Sequence, residues 1–250
     1  ICKQEGAPAE TTEVRCNVRK YRDQKFHVWR CAQCQSLHTE NVENLADFYK
    51  GYPMRNAHLD YFTRVWYKVF LKRLVRAGLK KEHRILDYGC SNGLFLEFLN
   101  EQGYLHCTGY DPYVNRFNDP SILDQTYDWV IGMDVIEHDQ DPEQFMARMA
   151  RLLKPTGRLC LETPNADGLA LRNSEKQIHT WHVPYHRHLF SQKGLVSLGV
   201  RAKLVPVERH SDYYMDSWFP GTSWSFIESL IRAGGNDFDV VFENPSIGLF

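Results

Sequence analysis

Asp87 and Asp111 bracket a turn that holds Gly89 and Gly93, and no other stretch of the chain narrows its chemistry so far. Glycines at a turn let the backbone approach a ligand where a side chain would block it. A carboxylate roughly 20 residues beyond such a turn is placed to hydrogen-bond a ribose diol. Together they describe a cradle for an adenosine-containing cofactor. The turn reads Gly89-Cys90-Ser91-Asn92-Gly93, so the G-x-G-x-x-G that seats a pyrophosphate is absent, as is the phosphate-gripping G-x-x-x-x-G-K-[ST]. A second reactive group is made of histidines: His179, His182, His186 and His188 fall within ten residues, mixed with Trp181 and Tyr185. Near neutral pH an imidazole is the natural base, and this segment reads as a wall of an acceptor pocket. A third is Cys31-Ala-Gln-Cys34, a C-x2-C knuckle whose geometry suits two thiolates on one tetrahedral zinc.

The elements that must position these groups follow from the apolar pattern. Ile85 and Leu86 form a short run ending in Asp87, and Leu94, Phe95, Phe98 and Leu99 recur at helical spacing after the turn. A second strand is predicted from His106 to Tyr110, closed by Asp111, which completes a βαβ unit. Phe145, Met149, Leu152 and Leu153 argue an amphipathic helix over the sheet. Residues 203–208 read as a sixth strand and 237–242 as a seventh, while the stretch between Asp111 and Asp128 has room for neither a full helix nor a normal third strand. Upstream, a long helical pattern runs to Ala77. Arg64, Lys68, Lys72, Arg73 and Arg76 alternate there with Trp66, Phe70 and Leu74, and a solvated basic face is the preferred reading.

The sequence D-x-G-C-x-x-G from Asp87 to Gly93 resembles the first motif of class I S-adenosylmethionine-dependent methyltransferases. Residues 127–138 resemble that family's fourth strand and following loop, and residues 151–165 its helix, turn and fifth strand, so three motifs occur in the family's order. The resemblance implies an α/β, Rossmann-like, doubly wound fold with a mostly parallel seven-stranded sheet. It implies a cofactor site drawn from Asp87, Gly89, Cys90, Gly93, Asp111, Pro112, Met133 and Asp134. Asp111 takes the ribose hydroxyls, and Tyr49 and Tyr52 fold over as a lid that excludes water, although these tyrosines read equally well as packing residues. P-Y-H-x-H-x-F-S resembles a recurring segment of these enzymes, which makes His186 the first candidate base and His182 the second; the alternative is that His186 and His188 only hydrogen-bond backbone. Asp134-Val-Ile-Glu137-His138 is similar to a loop that holds magnesium in some quinone-biosynthesis methyltransferases. Histidine suits magnesium poorly, so structural use of Glu137-His138 is preferred. In the family the region after Asp111 reads the adenine ring, and here Asn118, Asp119 or Asp124 would do so from a shortened loop.

The N-terminus resembles the zinc-ribbon-like segment of several bacterial small-molecule methyltransferases. Cys2, Cys16, Cys31 and Cys34 are its metal candidates, with His27 or His38 as substitutes; a degraded ribbon and a redox pair remain open. Cys90, Cys107 and Cys160 read as packing residues. The division expected is 1–42 ribbon-like segment, 43–83 helical lid and 84–250 methyltransferase domain. At 250 residues and 43% hydrophobic composition, one α/β domain with a small appendage can build a real core. A net charge of −1 gives no global attraction to nucleic acid or acidic membranes. No apolar run reaches the ~18 residues of a membrane span and no signal-peptide pattern opens the chain, so a cytoplasmic enzyme is expected. The apolar ending suggests a natural chain that continues past Phe250. The expected partner is a small-molecule methyl acceptor, methylated on O, N or C in a biosynthetic pathway. The rivals are an RNA or protein methyltransferase recruited through the ribbon, and a non-catalytic binding module. Aromatics from Tyr213 to Phe226 suggest a cover for the acceptor site or a dimer contact, and the oligomeric state is not readable.

Overall fold

A computed structural model describes residues 8–42, 48, 58–172, 181–212 and 237–245. Its central sheet has the order β5-β4-β6-β7-β10-β9, built from β4 (Ile85–Tyr88), β5 (Cys107–Tyr110), β6 (Tyr127–Met133), β7 (Leu153–Pro164), β9 (Val205–Asp212) and β10 (Asp237–Glu243). The pairings β4–β5, β4–β6 and β6–β7 are parallel, whereas β10 runs antiparallel to both neighbours. Five strands therefore share one direction. The described sheet has six strands where the resemblance implied seven: 237–242 is present within β10, and the strand not formed is the third, since after Asp111 the chain makes two 3-10 turns, Asn115–Phe117 and Pro120–Asp124. The segment is too short for a crossover and a strand. The helix read through Leu153 instead ends at Arg151, and Leu153 opens β7.

Helices cover both faces. On one side lie α1 (Tyr61–Arg76) and α2 (Leu94–Glu101), which bury Trp66, Tyr67, Phe70, Phe95 and Phe98 against Ile85, Trp129, Ile131 and Val241. Asp60 caps α1 by accepting from the Thr63 N–H, its apolar residues recur three and four apart, and Gly78 at φ 95° ends it. On the other side lie α3 (Pro142–Arg151) and α4 (Gln192–Arg201), whose Phe145, Met149, Leu195 and Leu198 meet Val130, Leu159, Leu161 and Phe242. Each large apolar side chain sunk this way contributes about 1.5–3 kcal/mol, so these two layers hold the sheet ends in place.

The N-terminal residues form a second sheet, β1 (Pro8–Arg15), β2 (Lys25–Cys31) and β3 (Leu37–Thr39), and its fourth strand is β8 (His188–Leu189) from far along the chain. Leu37 pairs with Leu189 and His38 with His188. A third apolar core, with Val14, Phe26, Val28, Leu37, Trp181, Val183, Tyr185 and Leu189, fills the space behind this ribbon. Arg30 donates to the carbonyls of Ala166 and Leu169 and ties β2 to the segment after β7. The ribbon is thus bonded into the histidine-bearing segment.

Candidate functional site

The βαβ unit builds the first wall. Gly89 has φ 79°, and its N–H donates to the Tyr110 carbonyl at 2.7 Å, so the turn after β4 folds onto the tip of β5. A Cβ on Gly89 would stand 2.4 Å from Val135 Cγ2, which is why only glycine lets this turn approach the loop after β6. Gly93, at φ 72°, faces the Phe117 ring: a Cβ there would lie 2.6 Å from Phe117 Cζ. Asp111 sits between them, 8% exposed. Its Oδ2 accepts from the Ser91 N–H and its Oδ1 from the Tyr113 N–H, both at 2.9 Å. These bonds fix the carboxylate while leaving lone pairs for a further donor such as a diol.

Carboxyls gather where the strands end. Burial, and then the charge of Asp111, push Asp87 up to about 7. Burial pushes Asp134 up to about 6, against a hydrogen bond with Glu137 that lowers it. Asp134 follows Met133 directly and holds φ 50°, a conformation rarely adopted by residues other than glycine, asparagine and aspartate. Tyr67 on α1 lies near Asp87, Glu162 and Asp134; burial first, and then these acids, raise its hydroxyl beyond its ordinary range. An acid-lined edge of this kind gains from a cationic ligand. S-adenosylmethionine, with its ammonium and sulfonium, fits the donor set, and Asp111 fits its ribose.

The loop after β6 carries the second wall. Glu137 is fully buried and its Oε2 accepts from the Thr163 hydroxyl at 2.9 Å. His138 directs Nδ1 at the Tyr185 carbonyl at 3.0 Å, and burial lowers its imidazole to about 4. His186 joins them: one ligand-type atom from each of Glu137, His138 and His186 lies within 4.8 Å of the others, the only such set of three among the described residues. Two imidazoles with one carboxylate suit magnesium poorly. His186 is 8% exposed, with its ring 4.9 Å from His138 and 5.1 Å from His182. His182 is more open, at φ 41°, and its ring stacks on Tyr185.

The other expected positions divide. Cys90 is buried and burial pushes its thiol up to about 12, which makes it a packing residue of the turn, while Pro112 is exposed beside Asp111. Of the adenine candidates Asn118, Asp119 and Asp124 are all exposed, and Asp119 Oδ1 also accepts from the Ser121 N–H. At the knuckle the Gln35 N–H returns to the Cys31 carbonyl, and burial raises the Cys34 thiol with Cys31 adding to the rise. Cys16, buried and accepting from the Val18 N–H, forms no three-ligand set with them. Cys2, Tyr49, Tyr52, His179 and the aromatics from Tyr213 to Phe226 lie outside the described residues. Phe117, Thr163 and Asn17 had no local sequence signal; each is recognised only through what it touches.

Comparisons with known proteins bear on the family and the fold. The sequence model described as "Methyltransferase domain" matches residues 56–208. The ubiquinone biosynthesis O-methyltransferase of Dinoroseobacter shibae is 25% identical over 209 residues, which covers 71% of this chain and 82% of that protein. The mitochondrial ubiquinone biosynthesis O-methyltransferase of Schizosaccharomyces pombe is 29% identical over 133 residues, 44% of this chain and 45% of that one, so the match spans under half of its length. Among solved structures, a chain of the Haloferax volcanii complex between the Trm112 methyltransferase activator and a methyltransferase superposes with a TM-score of 0.53 at 19% identity. That match covers 73% of this chain and 91% of the other and speaks for the fold.

Proposed function

We infer the acceptor chemistry from one premise: this chain belongs to the methyltransferase domain family and is an S-adenosylmethionine-dependent methyltransferase. We propose that it methylates an O, N or C nucleophile of a small molecule in a biosynthetic pathway. The cofactor, when bound, supplies a methyl group already activated on a sulfonium. The protein's part is to align the nucleophile and strip its solvent. In this reading Asp111 holds the ribose, the Gly89–Gly93 turn passes the amino-acid part, and Asp87 and Asp134 balance its positive charge. Tyr49 and Tyr52 close over it. His186 takes the acceptor's proton where the nucleophile is a hydroxyl or an ammonium.

The observation that carries the proposal is the Asp111 carboxylate, held by two backbone N–H groups beside a glycine turn no side chain could occupy. Calorimetric titration with S-adenosylmethionine and S-adenosylhomocysteine tests it. Micromolar binding is expected, weakened about 10- to 100-fold in Asp111→Asn because a charged hydrogen-bond acceptor is lost. Failure of the folded protein to bind either compound would remove the catalytic reading and leave a non-catalytic module.

An RNA substrate is disfavoured by how the basic residues of α1 are used. Arg73 pairs with the buried Asp239 at 3.0 Å, and Arg64 pairs with Glu101. Such pairing leaves a thinner stripe for phosphates than the sequence suggested. The ribbon is proposed to hold zinc through Cys31 and Cys34, with Cys2 as a further ligand. Metal analysis of wild type and Cys31→Ser checks this: bound zinc should fall to background in the variant. No helix among the described residues is long and apolar enough to cross a membrane, and a cytoplasmic location is proposed on the sequence alone.

A further inference from the structure

We infer that Asn17, in the ribbon, is a positioning residue that holds the His182 imidazole in its neutral Nε2–H form, with its Nδ1 lone pair taken up, so that His182 does not serve as the base. The inference rests on the methyltransferase reading for its purpose, but its geometry stands alone. Asn17 follows Cys16 in the turn after β1, and its side-chain Nδ2 lies 2.7 Å from His182 Nδ1, across 165 residues of sequence. An amide N–H can only be accepted by an unprotonated ring nitrogen, so the His182 proton must sit on Nε2. Turning the amide over would bring its oxygen to His182 and put the NH2 group where Oδ1 now stands, buried with no partner. A buried carbonyl short of a donor is tolerated better than a buried N–H short of an acceptor, which favours the orientation seen.

The surroundings keep the ring where Asn17 can reach it. His182 holds φ 41°, in the left-handed region that side chains rarely adopt, and its ring stacks on Tyr185 with centroids 4.9 Å apart. Tyr185 is itself anchored, donating from its hydroxyl to the Phe48 carbonyl at 3.0 Å. The His186 ring meets it edge-on, with centroids 5.1 Å apart. A backbone conformation held against its preference at a polar cluster is a reason to look for a role there. The ribbon thereby becomes part of the acceptor wall. His182 leaves the set of candidate bases, and His186 remains in it.

The test uses the full chain labelled with 15N in its histidines, without any acceptor, and long-range 1H–15N correlation near neutral pH. His182→Gln identifies the His182 signals by their disappearance. The wild type should show His182 protonated on Nε2 alone. Asn17→Ala should mix the two tautomers, and Asn17→Asp, which keeps the size, should move the proton to Nδ1 to meet the new carboxylate. An Nδ1-protonated ring in the wild type, or His182 signals unchanged in both variants, would overturn the inference. Titration of the same samples with S-adenosylmethionine reads the other proposal separately: the Asn17 variants should bind it as the wild type does. A protein that fails to bind it while showing the tautomer change loses its proposed activity and keeps this geometry.

Discussion

At the cofactor edge the buried titratable groups are acids, and at the ribbon junction they are imidazoles. Burial drives Asp87 and Asp134 up to about 7 and about 6. At the junction His38 and His188 meet through their Nδ1 atoms at 3.0 Å, and burial lowers them to about 4 and about 3. Both regions therefore favour neutral groups, but they reach neutrality from opposite sides of the titration. In the proposed reading the acids lie where a cationic cofactor would restore their charge. The imidazoles face each other across the β3–β8 pairing, and a proton gained at the accepting Nδ1 breaks their Nδ1–Nδ1 hydrogen bond. On that same proposed reading the first region serves a ligand, while the second holds two strands of one sheet together.

The backbone makes the same contrast. The Gly89 turn depends on having no side chain, so Gly89→Ala should give the largest effect. Its Cβ would press on Val135 Cγ2 at 2.4 Å, from a φ of 79°. A loss of about 1–3 kcal/mol in urea unfolding is expected from overpacking, together with loss of cofactor binding by calorimetry. Adding Val135→Ala should recover part of the stability; no recovery would mean that the backbone strain, and not the contact, carries the cost.

Cofactor affinity should depend on pH through the acids. Below about 6 both Asp87 and Asp134 bind protons before the cofactor arrives, and a cation must expel them. Binding of S-adenosylmethionine should therefore tighten as pH rises through 6 to 7. S-adenosylhomocysteine, which lacks the sulfonium charge, should respond less. Titrations in two buffers of different ionisation enthalpy would count the protons released, and equal slopes for the two ligands would break the assignment.

Folding stability should separate the regions by sign. His38 and His188 have folded values below the ordinary 6.5, so their contribution is complete above 6.5 and is lost as pH falls toward about 4. Asp87 and Asp134 have folded values above the ordinary 3.8, so in the cofactor-free protein they oppose folding increasingly as pH rises from 3.8, and the penalty levels off above about 7 and about 6. Hydrogen exchange should show amides of β3 and β8 opening on acidification while those of β4 and β6 stay protected. Simultaneous opening of both sheets would show that the junction is not a separate unit. The smallest effect should come from the ribbon's outer surface: Lys25→Ala, which removes an exposed ion pair with Glu13 at 3.6 Å, should change thermal stability by no more than about 0.5 kcal/mol.

Much of the cofactor edge was legible because its parts are close in sequence. Asp87, Gly89, Gly93 and Asp111 lie within one βαβ unit, and the strand–turn–helix pattern alone places them at one end of the sheet. The histidine segment was legible as a cluster but not as an arrangement. The resemblance ranked His186 ahead of His182 as a base but said nothing of their neighbours: His186 is buried against His138, while His182 faces Asn17. The absent strand after Asp111 was legible as a length that could not hold one. The end of the helix at Arg151 was not, because Leu152 and Leu153 continue an apolar rhythm that a strand can share.

By itself the sequence determined the glycine turn, the acids at the strand tips and the order of the motifs, since local spacing and periodicity govern elements made from neighbouring residues. The tertiary structure alone decided that the ribbon takes β8 as its fourth strand, that Asn17 reaches His182, and that Glu137, His138 and His186 share one small volume. Those contacts join residues dozens to more than a hundred positions apart, where no period in the sequence connects them. The same burial that brings them together sets their protonation.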